Sequence, residues 1–255
     1  MQNSTTSKIT TTNSRLFLSS QKLSFFKSLS KTNLGLPELK ILSAYFSKLF
    51  SNDPSNRTVI ITRAELVNAL GISEIKINDL HQRLRKLLFP IDIEDAYNNS
   101  LSTLLLFQEA RTMREKSGRW VIRLTCTETA MNYFLDMYED FSCLGLKSRY
   151  SYFMYLYLKS NSSAASCEIE LKELKQLLDC SDKEMYADFK RFNDLVLKKT
   201  HKDIVENTNL RFSYDLIRKG RFVNAIRFNI EPEDTNNSPE LAEQTTEKTG
   251  EEKND

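Results

Sequence analysis

The stretch Phe212–Ile230, FSYDLIRKGRFVNAIRFNI, reads as two alternating strands around a turn at Arg218-Lys219-Gly220-Arg221. Alternation of apolar and polar residues at a period of two marks half-buried strands, and a glycine between them marks the hairpin turn. On this reading Leu210, Phe212, Tyr214 and Leu216 face one way, and Phe222, Ile226, Phe228 and Ile230 match them across the turn. The turn itself needs only Gly, Asn or Asp. Three cations around Gly220 exceed what the fold requires, so they point to a partner that carries negative charge.

What precedes the hairpin decides its context. KSRYSYFMYLYLKS, Lys147 to Ser160, places Tyr150, Phe153, Met154, Tyr157 and Leu158 at helical spacing. That spacing makes the tyrosines of this segment core residues rather than a stacking surface for bases, with Tyr152 and Tyr155 expected as the more exposed pair. A short extended piece follows, then a helix through Leu174, Leu177 and Leu178, a break at Asp179 to Asp182, and a long helix from Lys183. The expected buried stripe of that helix is Met185, Phe189, Phe192, Val196 and Thr200. Helix, short strand, helix, turn, helix, strand, wing and strand form the order of a winged helix-turn-helix.

Residues 23–142 repeat this order. LPELKILSAYFSKLF is an opening helix, TVIIT a strand, RAELVNALG a second helix ending at Gly71, and INDLHQRLRKLLF a third. Two strands then flank Lys116-Ser117-Gly118-Arg119, a second basic turn, and Trp120 just beyond it is a strand anchor. The predicted fold class is α+β, mainly helical, with tandem winged helix-turn-helix domains. The expected organisation is a disordered basic arm over 1–16, an N-terminal winged-helix domain over 17–144 that contacts the DNA backbone, a C-terminal winged-helix domain over 145–231 as the main reader, and a disordered acidic tail over 232–255.

Charge supports the reading. The net charge of +2 combines sixteen Lys and Arg against eleven Asp and Glu over residues 147–230 with two against nine in the last 25 residues. The first 37 residues contain no acid and read as a basic arm; the alternative is an organellar transit peptide. Cys126, Cys143, Cys167 and Cys180 show no CxxC pairing, and His81 and His201 are far apart, so no metal site is expected. In a reducing cytoplasm these cysteines are packing residues. No run is long enough for a membrane span, and no phosphate loop, nucleophile elbow or Cys–His constellation is present, so the expectation is a protein that is not an enzyme and uses no cofactor.

In a helix-turn-helix the third helix enters the major groove and the wing reaches flanking phosphates. The face of the second module's long helix opposite its apolar stripe carries Lys183, Lys190, Arg191, Asp194 and Lys198, with Asn193 at its edge. Arg191 suits guanine, Asn193 adenine and Asp194 cytosine. The alternative is a solvated face with Lys190/Asp194 and Asp194/Lys198 pairs at i,i+4. Arg218, Lys219 and Arg221 would hold phosphates. In the first module the corresponding residues are Lys76, Gln82, Arg83, Arg85 and Lys86 on the helix, with His81 beside them as a surface residue, and Lys116 and Arg119 on the wing.

The residues over 147–230 resemble the C-terminal winged helix of the iteron-binding plasmid replication initiators. The resemblance rests on Phe192, Asn193-Asp194-Leu195, Val196-Leu197, Asp203-Ile204, Tyr214, the Lys219-Gly220-Arg221 turn and the Ile226-Arg227-Phe228 ending, and on SRYSYFMYLYL as opening helix. Over 23–142 it rests on the order of elements. One departure is the stretch after Phe192, usually basic in that family and here Asn193-Asp194, which either moves the basic contacts to Lys190-Arg191 or changes the base preference. The resemblance implies a bacterial cytoplasmic protein that binds direct repeats in double-stranded origin DNA as a monomer, helps open an AT-rich segment, and recruits host helicase and initiator proteins. It further implies a dimer, joined through the first winged helix, that represses its own promoter. A tandem winged-helix transcription regulator and a chromosome-organising adaptor share the local features.

Overall fold

Two three-stranded antiparallel sheets of identical topology organise the chain. The computed structural model describes residues 22–51, 57–95, 99–135 and 144–231. The expected terminal arm (1–16) and tail (232–255), and Cys143, lie outside the described residues.

The first module runs α1 (22–30), α2 (Leu36–Ser51), β1 (Thr58–Thr62), α3 (Arg63–Leu70), α4 (Ile77–Lys86), a hairpin of β2 (Pro90–Asp95) and β3 (Ser100–Leu105), β4 (Phe107–Arg114), β5 (Trp120–Cys126) and α5 (Glu128–Leu135). The second runs α6 (Arg149–Ser160), β6 (Ser166–Glu170), α7 (Leu171–Leu177), a 3₁₀ turn (Glu184–Tyr186), α8 (Phe189–Phe192), a π-helical turn (Asn193–Leu197), α9 (Lys198–Asn207), β7 (Phe212–Lys219) and β8 (Phe222–Ile230). Strand order is β1-β5-β4 in one sheet and β6-β8-β7 in the other. In each module the strand before the helix-turn-helix pairs with the last strand, which thereby becomes the centre of the sheet. Both modules are winged helices, and the fold is α+β.

Local chemistry explains the element ends. Thr62 and Glu65 form a reciprocal capping box at the start of α3, and Gly71 closes that helix at a φ of 67°. Ser148 caps α6 by accepting the Ser151 amide. In the second sheet Ile226, Phe228 and Ile230 of the central strand are buried, with Phe228 opposite Cys167 on one side and Tyr214 on the other.

Four expectations need correction. Phe222 does not join the buried row. The register passes from Ile217↔Ala225 to Arg218↔Val223, so Asn224 is an extra residue and the phase of β8 flips beyond it. Phe222 is consequently 80% exposed at the wing tip.

The long helix does not begin at Lys183. Residues 184–186 form a separate 3₁₀ turn, and Asp188 caps α8 by accepting the Lys190 amide. Met185 is exposed and Tyr186 takes the buried place.

Tyr152 and Tyr155 are fully buried, because α6 packs against α2 of the other module. The Tyr152 hydroxyl lies 3.0 Å from Ser43 Oγ across that boundary.

Residues 22–30, in the acid-free stretch that reads as a basic arm yet inside the expected first domain, are helical. Phe25, Phe26 and Leu29 are buried, and Phe25 stacks on Tyr133 with centroids 5.4 Å apart. The β2–β3 hairpin was likewise absent from the sequence reading.

Candidate nucleic-acid interface

Residues 189–207 form the second module's third helix in three continuous parts. Phe192, Val196, Thr200 and Ile204 anchor it in the core. The π turn at 193–197 widens the backbone by one residue where the helix faces the wing, a device often found at functional positions. Lys190 and Arg191 are exposed and form no ion pair among the described residues. Leu195, 39% exposed, and the exposed Lys199 and Lys202 continue this face, and sequence reading missed all three. The i,i+4 steps from Arg191 to Leu195 and Lys199, and the i,i+3 step on to Lys202, are the available signal.

The other residues expected on this face have partners or lie elsewhere. Lys198 Nζ holds Asp194 Oδ1 at 2.7 Å, the i,i+4 pair of the solvated-face alternative. The Lys198 hydrogen bond lowers the Asp194 carboxyl below the usual range, and the same bond raises the Lys198 ammonium. Asn193 turns towards the wing, where Tyr214 donates its hydroxyl to Asn193 Oδ1 at 3.0 Å. Lys183, before the helix, lies 5.4 Å from the Tyr150 ring centroid.

The wing is fixed to the helix by that tyrosine and by His201, whose Nε2 donates to the Phe212 carbonyl at 2.9 Å. At its tip Gly220 adopts a φ of 63° in a two-residue turn with Arg221. Arg218, Lys219 and Arg221 are exposed without ion pairs among the described residues. The left-handed glycine lets the chain reverse in two residues and so brings the three cations together.

In the first module the charge is used differently. Glu38, buried in the first turn of α2, accepts from Arg83 at 3.0 Å, Lys86 at 3.4 Å and the Gly35 amide at 2.9 Å. A buried carboxylate needs such pairing, so Arg83 and Lys86 are committed to it. Arg85 remains exposed on α4. Lys116 and Arg119 are exposed at a tip where Gly118 adopts a φ of 82° and Arg114 Nε donates to the Gly118 carbonyl at 2.8 Å. Trp120 is half-buried and lines an open groove with Arg63, Val67, Ser73 and Arg119.

Family models match nearly the whole described chain. The initiator replication protein model for the first winged helix covers residues 25–159, and the initiator Rep protein model for the second covers residues 170–230. The chain belongs to the initiator Rep protein family.

Among solved structures, the Pi initiator protein in complex with iteron DNA matches this initiator with a TM-score of 0.59 at 19% identity, over 83% of this chain and 93% of that one. That likeness shows a shared fold. Domains 2 and 3 of RctB match at a TM-score of 0.49 and 13% identity, over 76% of this chain and 81% of theirs. No curated protein sequence matches. The match to both winged helices places the two basic wings of this initiator in its two family domains. Among the described residues, no cluster of His, Cys, Asp or Glu could hold a metal ion, and no helix is long and apolar enough to cross a membrane.

Proposed function

We propose that this initiator binds directly repeated sequences, iterons, in a plasmid origin and starts replication there without catalysing a reaction itself. The observation that carries the reading is the pair of winged helices, each with exposed cations at its wing tip, in a chain of the initiator Rep family. The Pi initiator protein, which shares the fold, was solved with iteron DNA. The first winged helix, over 17–144, contacts the backbone through Lys116, Arg119 and Arg85. The second, over 145–231, reads bases from Lys190 and Arg191 and grips phosphates with Arg218, Lys219 and Arg221. Several bound copies open an adjacent AT-rich segment and recruit the host helicase in the bacterial cytoplasm.

Self-association through the first module belongs to the same reading, with the dimer repressing its own promoter. Strand β3 has one paired side among the described residues, and Leu101 on it is 67% exposed with Leu105 exposed nearby. An apolar unpaired strand edge is a ready template for a second chain. Footprinting on the DNA beside the gene tests the proposal. A ladder of equally spaced protections is expected, and uniform coating without preferred positions rejects it.

A further inference from the structure

Arg149 joins the two reading heads through several hydrogen bonds, beside the Ser43–Tyr152, Lys27–Glu173 and Ser30–Gln176 contacts. Arg149 is the first residue of α6, a helix that the first family match reaches but that packs against α9 of the second module. It spends its guanidinium on the first module's chain at and just beyond the end of α1. Nε donates to the Leu34 carbonyl at 3.0 Å, and one terminal nitrogen donates to the carbonyls of Thr32, at 2.8 Å, and Ser30. The other terminal nitrogen binds Asp179 Oδ2 at 3.1 Å, and the guanidinium carbon lies 5.3 Å from the Phe153 ring centroid. Carbonyls at a helix C-terminus lack intrahelical donors and carry partial negative charge, so a planar cation with five donors suits them.

Both ends of this tie lead to a third helix. On the second-module side, Asp179 ends α7 with a φ of 51°, and its conformation directs the turn into the 3₁₀ segment and α8. On the first-module side, the segment that Arg149 grips runs into Gly35, whose amide is held by Glu38, and Glu38 also binds Arg83 and Lys86 of α4. Charged and hydrogen-bonded groups therefore form a continuous chain from α4 through Glu38, residues 30–35, Arg149 and Asp179 to the turn before α8. A parallel contact reinforces it, in which Lys27 binds Glu173 at 3.0 Å and Ser30 Oγ donates to the Gln176 carbonyl at 3.3 Å.

We propose that Arg149 is a positioning residue that sets the relative pose of the two third helices, and hence the half-site spacing the protein accepts within one repeat. The inference rests on the reading in which both modules engage one duplex. Two base pairs inserted between half-sites turn the far one by about 70° and move it by about 7 Å. A head held by a multidentate tie cannot follow that rotation; a loosely hung head can.

The test uses the full chain and the repeat defined by footprinting, with one, two or five base pairs inserted between the stretches that the two modules protect. Fluorescence anisotropy then gives the affinity ratio between natural and inserted repeats. Wild type is expected to lose about a hundredfold on the two-base-pair insertion, as forfeiting one head's contacts implies. Arg149→Ala should lose only a few-fold, and Arg149→Lys, with three donors and no fork, should fall between. Asp179→Asn is the companion variant, because Asn tolerates the left-handed backbone and removes only the Arg149 ion pair; it too should narrow the ratio.

A merely structural role would lower affinity for every spacing alike and leave the ratio unchanged. Wild-type ratios in Asp179→Asn and in folded Arg149→Ala, with circular dichroism and melting as the folding check, overturn the inference. A wild-type footprint confined to one module overturns the two-module reading itself, and the inference with it.

Discussion

Replacing Arg218, Lys219 and Arg221 together by Ala removes the second wing's charge without touching its frame. All three side chains are exposed and unpaired among the described residues, while Gly220 keeps the turn. Exposed substitutions of this kind change stability by less than about 0.5 kcal/mol. If each cation neutralises one phosphate, each contributes about 0.9 to the slope of log affinity against log salt, so the triple variant should lose about 2.7 from that slope. Between 50 and 200 mM salt, wild-type affinity should therefore fall about 40-fold more than the variant's. Anisotropy titrations at five salt concentrations, on an origin repeat and on a random duplex, measure both slopes. The loss should be the same on the two DNAs, since phosphates carry no sequence information. An unchanged slope with reduced affinity would sink the phosphate assignment, and a loss confined to the repeat would move these residues to base reading.

Arg191→Ala should cost about 1–3 kcal/mol on the cognate repeat and relax preference at one base position, read out by competition with singly substituted repeats. Thermal or urea unfolding should separate the two wing phenylalanines: Phe228→Ala, fully buried, should cost about 3–5 kcal/mol, whereas Phe222→Ala, at 80% exposure, should be nearly neutral. Burial pushes the Cys180 thiol up to about 11. At pH 8 about one thiol in a thousand is then ionised, against roughly a quarter for a free cysteine, so alkylation followed by mass spectrometry should label Cys180 only after unfolding.

How much of this was legible in the sequence depends on the range of the interaction. The winged-helix order, the wing turns and the Ile226, Phe228, Ile230 part of the β8 row follow from local period and turn chemistry, and they stand in the structure. The bulge at Asn224 is a cross-strand event, so a strict period of two put Phe222 on the wrong face. The break before α8 is local, where Asp188 caps the helix through the Lys190 amide, and the apolar stripe through Met185 masks it in the sequence. The expected exposure of Tyr152 and Tyr155 fails because α6 packs against α2, a contact between modules that local helical spacing does not report. The helix at 22–30 hid in a stretch without acids, although Phe25, Phe26 and Leu29 carried its spacing.

The committed arginine and lysine of α4 bear on how the two modules share the work. Removing Arg83 or Lys86 from Glu38 to grip DNA would leave the buried carboxylate with one cation and the Gly35 amide, which works against the move, although both cations are themselves over a third exposed. The first module's helix therefore holds Arg83 and Lys86 on Glu38 and presents Arg85, with Lys76 exposed at its N-cap. The second module's helix presents Lys190, Arg191 and Lys199 without ion pairs among the described residues, with Leu195 among them as an apolar contact suited to a thymine methyl. Both wings remain charged and free. Charge accounting thus favours base reading by the second module and backbone gripping by the first. The residue that would upset this division is Glu38: in Glu38→Gln the neutral amide releases Arg83 and Lys86, and non-specific affinity should rise with a steeper salt slope, measurable on random duplex DNA. If the slope stays at its wild-type value while the variant remains folded, Glu38 is not what withholds those two charges.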